Sequence, residues 1–479
     1  MRYLFDLVAH ARMRDMFYFS GYALYLVFSY ISFHSATLLS SGGGIGHHFE
    51  VLFLAATLGA RICVYFVIAA MGSRFEKLTT TALVCVTVSL AICGLLVTGM
   101  VFQFSSELSA EKVLPWLLGG SVLLGSGDAL VVMLWARFSA TLTLRSVYLY
   151  VVLCNMASLA IYWAATLLPT ELAVGLAAVL FGATAFCSKR ALDVRPPFTW
   201  EYSKPVFWGS LRRLSHPIVG TSILCFMAGL MLQISGQQEI PLSSFQQVSL
   251  ASSAVVVLFL LLPPLLVKRP LRIGRMYAVA LPLSAAGFLL LPLIWNAAGG
   301  IVNSFAQLGS MLASIILWCM LAAAAHDTKL PSSLLFAIAL ICPNAAQLAG
   351  TLMGYLNADT LRQSDLVLTA VALVAAYLLF MVALFLFKDK SLKGEEDLGN
   401  GLGGSLEHFA QRCAAIAETH HFTPREADIF VLLAHGFTIP FISEKLFVSE
   451  NTVKSHVKSI YQKLGIHVRS ELIELVSKS

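Results

Sequence analysis

Long apolar segments recur along most of this chain, and each is long enough to cross a lipid bilayer as a helix. The first covers residues 17–39. Eleven more are predicted at 50–71, 79–102, 113–136, 146–168, 170–187, 216–235, 247–267, 276–295, 304–325, 334–357 and 366–387. Because helices satisfy their own backbone hydrogen bonds in lipid, the pattern predicts an all-α polytopic membrane bundle over residues 1–387.

Composition supports a membrane protein and gives no sign of catalysis. The chain has 479 residues, of which 58% are hydrophobic and 12% charged, whereas soluble domains carry about 25% charged residues. The nine cysteines are scattered singly, and most lie within apolar segments. The sequence contains no phosphate-binding loop, no nucleophile–base pattern and no metal-spaced cluster. We therefore expect no enzyme activity, no cofactor and no metal site.

Lysine and arginine are distributed unevenly between the two sides of the predicted bundle. If the N-terminus is inside, the outside segments carry only Lys112 and Arg362. The inside segments carry Arg2, Arg12, Arg14, Arg74, Lys77, Arg137, Arg145, Lys189, Arg190, Arg195, Lys204, Arg212, Arg213, Lys268, Arg269, Arg272, Arg275, Lys329, Lys388, Lys390 and Lys393. The positive-inside rule then predicts a multi-pass protein of the cytoplasmic membrane with both termini in the cytoplasm.

The longest basic stretch, Ser188 to His216, separates six predicted spans from six. Two six-helix halves joined by a basic loop resemble the major facilitator superfamily of transporters. In the loop after the second span, Gly72 and Glu76-Lys77 fit the superfamily's signature. Threonines at 79–81 stand where that signature has a glycine and basic residues. The resemblance implies a transporter-like bundle whose loop departs from the usual gate.

Two ionisable residues lie within predicted spans, Arg61 in the second and Asp128 in the fourth. Charged groups inside a bilayer are costly and often mark functional sites. Alternate spans run in the same direction, and these two residues lie at compatible depths. We expect them to pair, either as an internal structural ion pair or as a ligand-binding or proton-linked site.

The chain changes character after Phe387. Residues 388–417 comprise a charged, glycine-rich linker and an amphipathic stretch from Leu406 to Ala417. That stretch either packs on the following domain or acts as a dimerising or signalling helix. Residues 418–479 predict four short helices. Their starts and stops are marked by the capping box Thr423/Glu426 with Pro424, by Gly436, by Thr438, by Ser449 and by Gly465.

The third of these helices has two distinct faces. Its inner stripe is Val453, Val457, Ile460 and Leu464, and its outer face carries Asn451, Lys454, Ser455 and Lys458. Lysines reach phosphates or guanine edges, and small polar residues let a helix approach the major groove closely. The free N–H groups in the first turn, after the cap Ser449, suit a phosphate. The pattern predicts a DNA-reading helix.

These residues resemble the helix-turn-helix domain of the LuxR/NarL family of bacterial transcription regulators. The matching pieces are Thr423-Pro424-Arg425-Glu426, Gly436, Ile442, Leu446, Ser449-x-x-Thr452-Val453-Lys454-x-His456 and Ile460-Tyr461-x-Lys463-Leu464-Gly465. The resemblance implies that Lys454, Ser455 and Lys458 face bases or phosphates and that Thr452 contacts the DNA backbone. It also implies dimerisation through the last helix, by Leu472 and Val476. Two departures, Phe441 and Val468, replace polar capping residues.

Together these features predict a membrane-embedded, one-component transcription regulator. Its expected partners are promoter DNA in double-stranded form, the lipid bilayer, a second copy on DNA and an unknown small molecule, with RNA polymerase as a further candidate. No receiver domain precedes the helix-turn-helix segment, so a kinase-driven input is not expected. Two alternatives stay open: a major-facilitator-like transporter with a regulatory DNA-binding tail, and a scaffold that tethers DNA to the membrane without responding to a signal.

Overall fold

The computed structural model describes the chain in sections. They are residues 18, 20–34, 47–104, 110–194, 200, 202–236, 253–254, 257–258, 260, 307–357, 377, 413–434, 442–443, 446, 449–466 and 472. The chain divides into two compact units, Met1–Asp389 and Lys390–Ser479. The described residues contain helices and turns and no β-strand, which confirms the all-α class.

The first unit, called the membrane unit below, is a bundle of long apolar helices. In chain order its helices are α1 (Gly21–Ser29), α2 (His47–Met71), α3 (Thr80–Phe104), α4 (Ala110–Ser139), α5 (Leu144–Ala165), α6 (Thr170–Val194), α7 (Lys204–Arg213), α8 (Ser215–Gly236), α9 (Gln307–Thr328) and α10 (Ser332–Leu356). A π-helical turn, Tyr30–His34, extends α1, and a 3-10 helix, Gly72–Lys77, follows α2.

Eight described helices are long and apolar enough to cross a membrane, which confirms a polytopic bundle. They are α2 through α6 and α8 through α10, and each overlaps a predicted span. The predicted first span is represented by a shorter apolar helix, Gly21–Phe33. The predicted spans at 247–267, 276–295 and 366–387 lie almost wholly outside the described residues.

Helix α4 packs closely against α2 and α3 because glycines line its contact face. A Cβ on Gly125 would lie 2.6 Å from the carbonyl oxygen of Thr57, and one on Gly127 would lie 2.9 Å from Ala91. Both distances are too short for any larger residue. Small residues let helix backbones approach in this way inside membranes, where packing rather than water drives association.

Helices α8 and α10 form a second close pair. A Cβ on Gly350 would clash with the carbonyl oxygen of Phe226, and one on Gly229 would lie 2.5 Å from the carbonyl oxygen of Gln347. Helix α10 also contacts α2 and α4. It therefore connects the helices before the basic stretch to those after it.

The basic stretch Ser188 to His216, expected to be a loop, contains helical structure. Helix α6 continues to Val194, and α7 forms a separate helix with Pro205 in its first turn. Its Phe207 and Ser210 are buried against the bundle. The loop prediction was wrong here because the charges obscured an apolar stripe at Phe207, Leu211 and Leu214 that has helical spacing. Pro205 starts this helix because the first turn needs no N–H donor there.

The second unit, called the C-terminal unit below, has its own core. It contains a helical segment at 413–419, helix α11 (Pro424–Ala434) and helix α12 (Glu450–Leu464). Its buried residues are Cys413, Ile416, Ile429, Phe430, Leu432, Leu433, Ala434, Ile442, Val453, Ile460, Leu464 and Leu472. Cys413 and Ile416 belong to this core, so the end of the predicted amphipathic stretch packs on the domain that follows it.

Candidate DNA interface and intramembrane site

Helix α12 has the ends that the sequence predicts. Ser449 is its N-cap, and the Ser449 side chain accepts a hydrogen bond of 3.1 Å from the backbone N–H of Thr452. The Ser449 and Thr452 hydroxyls are 2.8 Å apart. Gly465 ends the helix in the left-handed conformation, with φ +67°, which a residue with a side chain rarely adopts. Both boundaries are confirmed.

The two faces of α12 are separated as expected. Val453 and Ile460 are fully buried in the domain core. All six residues predicted to bind DNA are solvent-exposed: Ser449, Asn451, Thr452, Lys454, Ser455 and Lys458. Lys454 forms only a long, exposed ion pair with Glu450, 3.7 Å from Nζ to Oε2, and such surface pairs contribute little. Its ammonium group is therefore available to a phosphate or a base edge.

Glu426 fixes α12 against the start of α11. The predicted capping box is present: Thr423 N–H donates to Glu426 Oε2 at 2.8 Å, and Glu426 N–H donates to Thr423 Oγ1 at 3.3 Å. The same carboxylate also accepts hydrogen bonds from α12, from Ser459 Oγ at 2.5 Å and Lys463 Nζ at 2.6 Å. The capping box alone does not predict this second role, although Ser459 and Lys463 stand four residues apart on one face of α12.

The hydrogen bonds to Glu426 determine its ionisation. Burial raises the pKa of its carboxyl group, but the hydrogen bonds from Lys463, Ser459 and Thr423 favour the charged form and lower the pKa to about 2. Lys463 Nζ also donates to the carbonyl oxygen of His421 at 3.0 Å. These hydrogen bonds fix the C-terminal end of α12 against the start of α11. They therefore also fix the direction in which the exposed face of α12 points.

Of the two residues expected to form the dimer, the structure describes Leu472. Its side chain is 0% exposed and belongs to the core of its own domain, and its part in a dimer stays a prediction. Val476 lies outside the described residues, as do Phe441 and Val468.

In the membrane unit, Arg61 and Asp128 form the expected ion pair. Arg61 Nη2 lies 2.6 Å from Asp128 Oδ2, and Asp128 is fully buried. The two residues join α2 to α4. The guanidinium also lies over the ring of Phe33, 4.8 Å from its centroid. The phenol groups of Tyr25 and Tyr65 are close enough to interact electrostatically with both charges.

One donor of this ion pair is unused. The Nε–H of Arg61 is buried and has no hydrogen-bond partner among the described residues. A buried donor without an acceptor costs free energy. A ligand that supplied an acceptor here would recover that cost. The guanidinium can bind an acceptor through this edge while it holds Asp128 through another.

Arg137, at the end of α4, forms a second buried cluster with the loop after α2. Its guanidinium donates to the carbonyl oxygens of Phe75 at 2.7 Å and Leu78 at 3.3 Å and to Ser333 Oγ at 3.0 Å. It also lies 3.5 Å from Glu76 Oε2. Because Ser333 belongs to α10, this cluster ties the loop of the first half to the start of α10.

A helix-turn-helix domain and a bundle of membrane helices thus define a DNA-binding membrane protein. Residues 420–476 match the family described as bacterial regulatory proteins, luxR family. The spore germination protein GerE of Bacillus subtilis is 41% identical over 51 residues, which cover 11% of this chain and 69% of GerE. The chain therefore belongs, through its C-terminal domain, to the luxR family of bacterial regulatory proteins.

Longer regulators match this chain over a small part of their own length. The probable transcriptional regulatory protein NarL of Mycobacterium tuberculosis is 34% identical over 82 residues, or 17% of this chain and 37% of that protein. The nitrate/nitrite response regulator protein NarL of Escherichia coli is 37% identical over 62 residues, or 13% of this chain and 29% of that protein. The likeness thus spans about a third of these relatives' length.

Solved transporters resemble the rest of the chain in fold. A bacterial homologue of the iron transporter ferroportin in the outward-facing state has a TM-score of 0.54 at 14% identity, covering 79% of this chain and 100% of that one. The human organic anion transporter MFSD10 has a TM-score of 0.52 at 12% identity, covering 78% and 98%. At such identities the likeness concerns the fold alone. The membrane unit shares the fold of these transporters.

Proposed function

We propose that this chain is a membrane-embedded, one-component transcription regulator that binds promoter DNA through α12. The exposed face of α12 carries the proposal. It presents two lysines one turn apart, Lys454 and Lys458, with small polar residues around them. The rest of the helix is anchored in a hydrophobic core and by Glu426. This is the arrangement that a recognition helix needs to enter a major groove without distorting its domain.

Each predicted contact has a separate role in this proposal. Lys454 and Lys458 reach guanine edges or phosphates, and Ser455 and Asn451 permit close approach. Ser449 and Thr452, at the N-terminal end of α12, meet the DNA backbone, where the helix dipole favours a phosphate. Two copies on adjacent half-sites bind more strongly than one, because the second site is engaged at high effective concentration.

DNA binding is tested with the full chain in lipid nanodiscs and a DNA sequence selected from a random double-stranded pool. Lys454→Ala and Lys458→Ala should each weaken binding, and each should reduce the slope of log affinity against log salt by about 1. Lys77→Ala is the matched control, since it removes an exposed positive charge from the membrane unit. Unchanged binding in both lysine variants would remove this face of α12 from the interface.

We further propose that the membrane unit is the input, with its C-terminal unit in the cytoplasm. The buried pair Arg61–Asp128, with the unused donor on Arg61, supports a site where a small molecule binds or where the state of the bilayer acts. A small molecule can change transcription through this site only if it binds two packings of the bundle with different affinity, and a bilayer state only if it stabilises one packing over the other. Transcript profiles of cells with the wild-type chain and with Arg61→Gln, compared across candidate compounds, test this input.

A transporter with a regulatory DNA-binding tail is the second candidate function. The major-facilitator-like fold and the buried ion pair favour it. Two measurements separate it from a regulator: substrate flux into vesicles that contain the full chain, and truncation after Phe387. A transporter keeps its flux without the tail, whereas a regulator shows no flux and loses its effect on transcription. A DNA tether would bind DNA but give the same transcript profile with every compound.

A further inference from the structure

Helix α7 carries exposed aromatic and basic side chains on the surface of the membrane unit. One side of α7 packs on the bundle through Phe207 and Ser210. Trp208 is 62% exposed, although it is the largest apolar residue of the helix. Three basic residues, Lys204, Arg212 and Arg213, are also exposed. A short amphipathic helix with an exposed tryptophan and several basic residues is typical of a segment that lies in a membrane interface.

Helix α6, which precedes α7 in the chain, indicates where the apolar part of the bilayer ends. Leu172, Val179 and Phe186 are exposed and recur every seven residues, as expected of a lipid-facing stripe. Arg190 follows one turn after Phe186 and is also exposed, and its guanidinium lies 5.7 Å from the centre of the Phe186 ring. The stripe therefore changes from apolar to basic at Arg190. This change is typical of the point where a spanning helix passes from the acyl chains into the headgroup region.

Helix α7 is connected directly to a membrane helix. The backbone N–H of Leu214 donates to Ser210, and that of Ile218 donates to Leu214, so α7 leads into α8 across one residue. Because α8 is long and apolar enough to span the bilayer, α7 lies within one residue of the end of a span. Its exposed side chains are then within reach of lipid headgroups.

We propose that α7, together with Arg190 at the end of α6, binds the headgroups of anionic phospholipids. Three exposed positive charges lie on α7 and a fourth lies at the end of α6, and none of the four forms an ion pair with a described acidic side chain. Phosphate groups accept hydrogen bonds from arginine in a bidentate fashion. Trp208 supplies the apolar anchor at the boundary between headgroups and acyl chains. Anionic lipid is thus a ligand of the membrane unit, whatever the ligand of the Arg61–Asp128 site.

The proposal is tested on the full chain in detergent micelles, titrated with phosphatidylglycerol or phosphatidylcholine, with bound lipid counted by native mass spectrometry. Each basic residue near an anionic surface contributes about fivefold in affinity. The variant Lys204→Gln/Arg212→Gln/Arg213→Gln should therefore bind phosphatidylglycerol on the order of 100-fold more weakly. Its affinity for phosphatidylcholine should not change. Equal affinity of the wild type and this variant for phosphatidylglycerol would overturn the proposal.

Control variants separate charge from folding and from other occupants. Arg212→Lys/Arg213→Lys keeps the charges but loses the bidentate geometry, so it should bind phosphatidylglycerol more tightly than the glutamine variant does; affinity as low as that of the glutamine variant would overturn the proposal. Lys112→Gln, in the first turn of α4, should leave binding unchanged. Inorganic phosphate should not compete with the lipid, and effective competition would indicate a site for free anions instead.

The acidic linker of the same chain is the other occupant to test. Glu395, Glu396 and Asp397 form its acidic run. If they covered α7, the variant Glu395→Gln/Glu396→Gln/Asp397→Asn would bind phosphatidylglycerol at least tenfold more tightly, and the bilayer would not be the resident partner. Unchanged affinity supports a surface that faces lipid.

Discussion

The membrane unit and the C-terminal unit each contain an ion pair with a buried carboxylate, and the two pairs have the same length. Arg61 Nη2 lies 2.6 Å from Asp128 Oδ2, and Lys463 Nζ lies 2.6 Å from Glu426 Oε2. They differ in what surrounds them. Glu426 has additional hydrogen bonds from Ser459 and Thr423, whereas Arg61 keeps a buried N–H without a partner among the described residues.

The difference extends beyond these two pairs. Within the described residues, the buried polar side-chain atoms without a hydrogen-bond partner all lie in the membrane unit. A polar cluster whose hydrogen bonds are all satisfied stabilises one arrangement of the chain. A cluster with an unsatisfied donor or acceptor can be stabilised further by a ligand or by a second packing of the helices that supplies the missing bond. The C-terminal pair therefore holds α12 in one position, as the proposed DNA-binding face requires. The intramembrane pair has the incomplete bonding expected of an input site.

The largest expected effect comes from removing one partner of the intramembrane pair. Arg61→Leu leaves the Asp128 carboxylate buried without its counter-charge, which should reduce the free energy of unfolding by about 3–5 kcal/mol. The double variant Arg61→Leu/Asp128→Leu should recover most of this loss, because two apolar side chains replace two buried charges. Thermal unfolding of the full chain in nanodiscs measures both effects.

The double variant also separates a structural pair from an input site. If the pair only holds α2 to α4, the double variant folds and regulates as the wild type does. If it is an input site, the double variant is stable but its transcript profile no longer changes with any signal. A double variant as unstable as Arg61→Leu would contradict the idea that the buried carboxylate causes the loss.

The next effect is in the C-terminal unit. Glu426→Gln keeps the size of the side chain but removes the charge that accepts from Lys463, Ser459 and Thr423. Hydrogen bonds to a charged group contribute roughly 1.5–3 kcal/mol, so a loss of about 2 kcal/mol is expected. Lys463→Met should cost less, because Ser459 and Thr423 still bond the carboxylate. Denaturant unfolding of residues 390–479 gives both values, and the double variant gives the coupling between them. Additive losses would contradict a direct interaction.

Acid should reduce the difference between the wild type and Glu426→Gln. The pKa of Glu426 is lowered in the folded domain to about 2 from its ordinary 4.5. Its folded pKa lies below the unfolded one, so its stabilisation is fully present above pH 4.5 and is lost as the pH falls towards 2. Unfolding measured at neutral pH and at several acidic values, wild type against variant, tests this. A constant difference across that range would mean that the carboxylate is not preferentially ionised in the folded domain.

Local patterns predicted the helices and missed most of the contacts between them. Ser449 and Gly465 mark the ends of α12 because capping depends on neighbours within one turn. The spans follow from hydropathy, and the Arg61–Asp128 pairing follows from depth in the bilayer. The second role of Glu426, the burial of Arg137 and the position of Leu472 could not be predicted in this way. Each depends on which helix the tertiary fold brings alongside, and the spacing within a single helix does not contain that information.

The smallest expected changes in stability come from substituting two serines of α12. Ser449→Ala removes the hydrogen bond to the Thr452 N–H and should cost about 1 kcal/mol of domain stability. Ser455→Ala, in the middle of the exposed face, removes no cap and improves helix propensity slightly, so stability should stay the same or rise by a few tenths of a kcal/mol.

DNA binding should nevertheless weaken in both serine variants. Unfolding and DNA affinity measured on the same samples separate the two effects, since a Ser455→Ala variant that binds DNA normally would remove this residue from the interface. If Ser449→Ala were as stable as the wild type, the cap would have another acceptor, and the N-terminal turn of α12 would be held by its neighbours in the fold rather than by its own sequence.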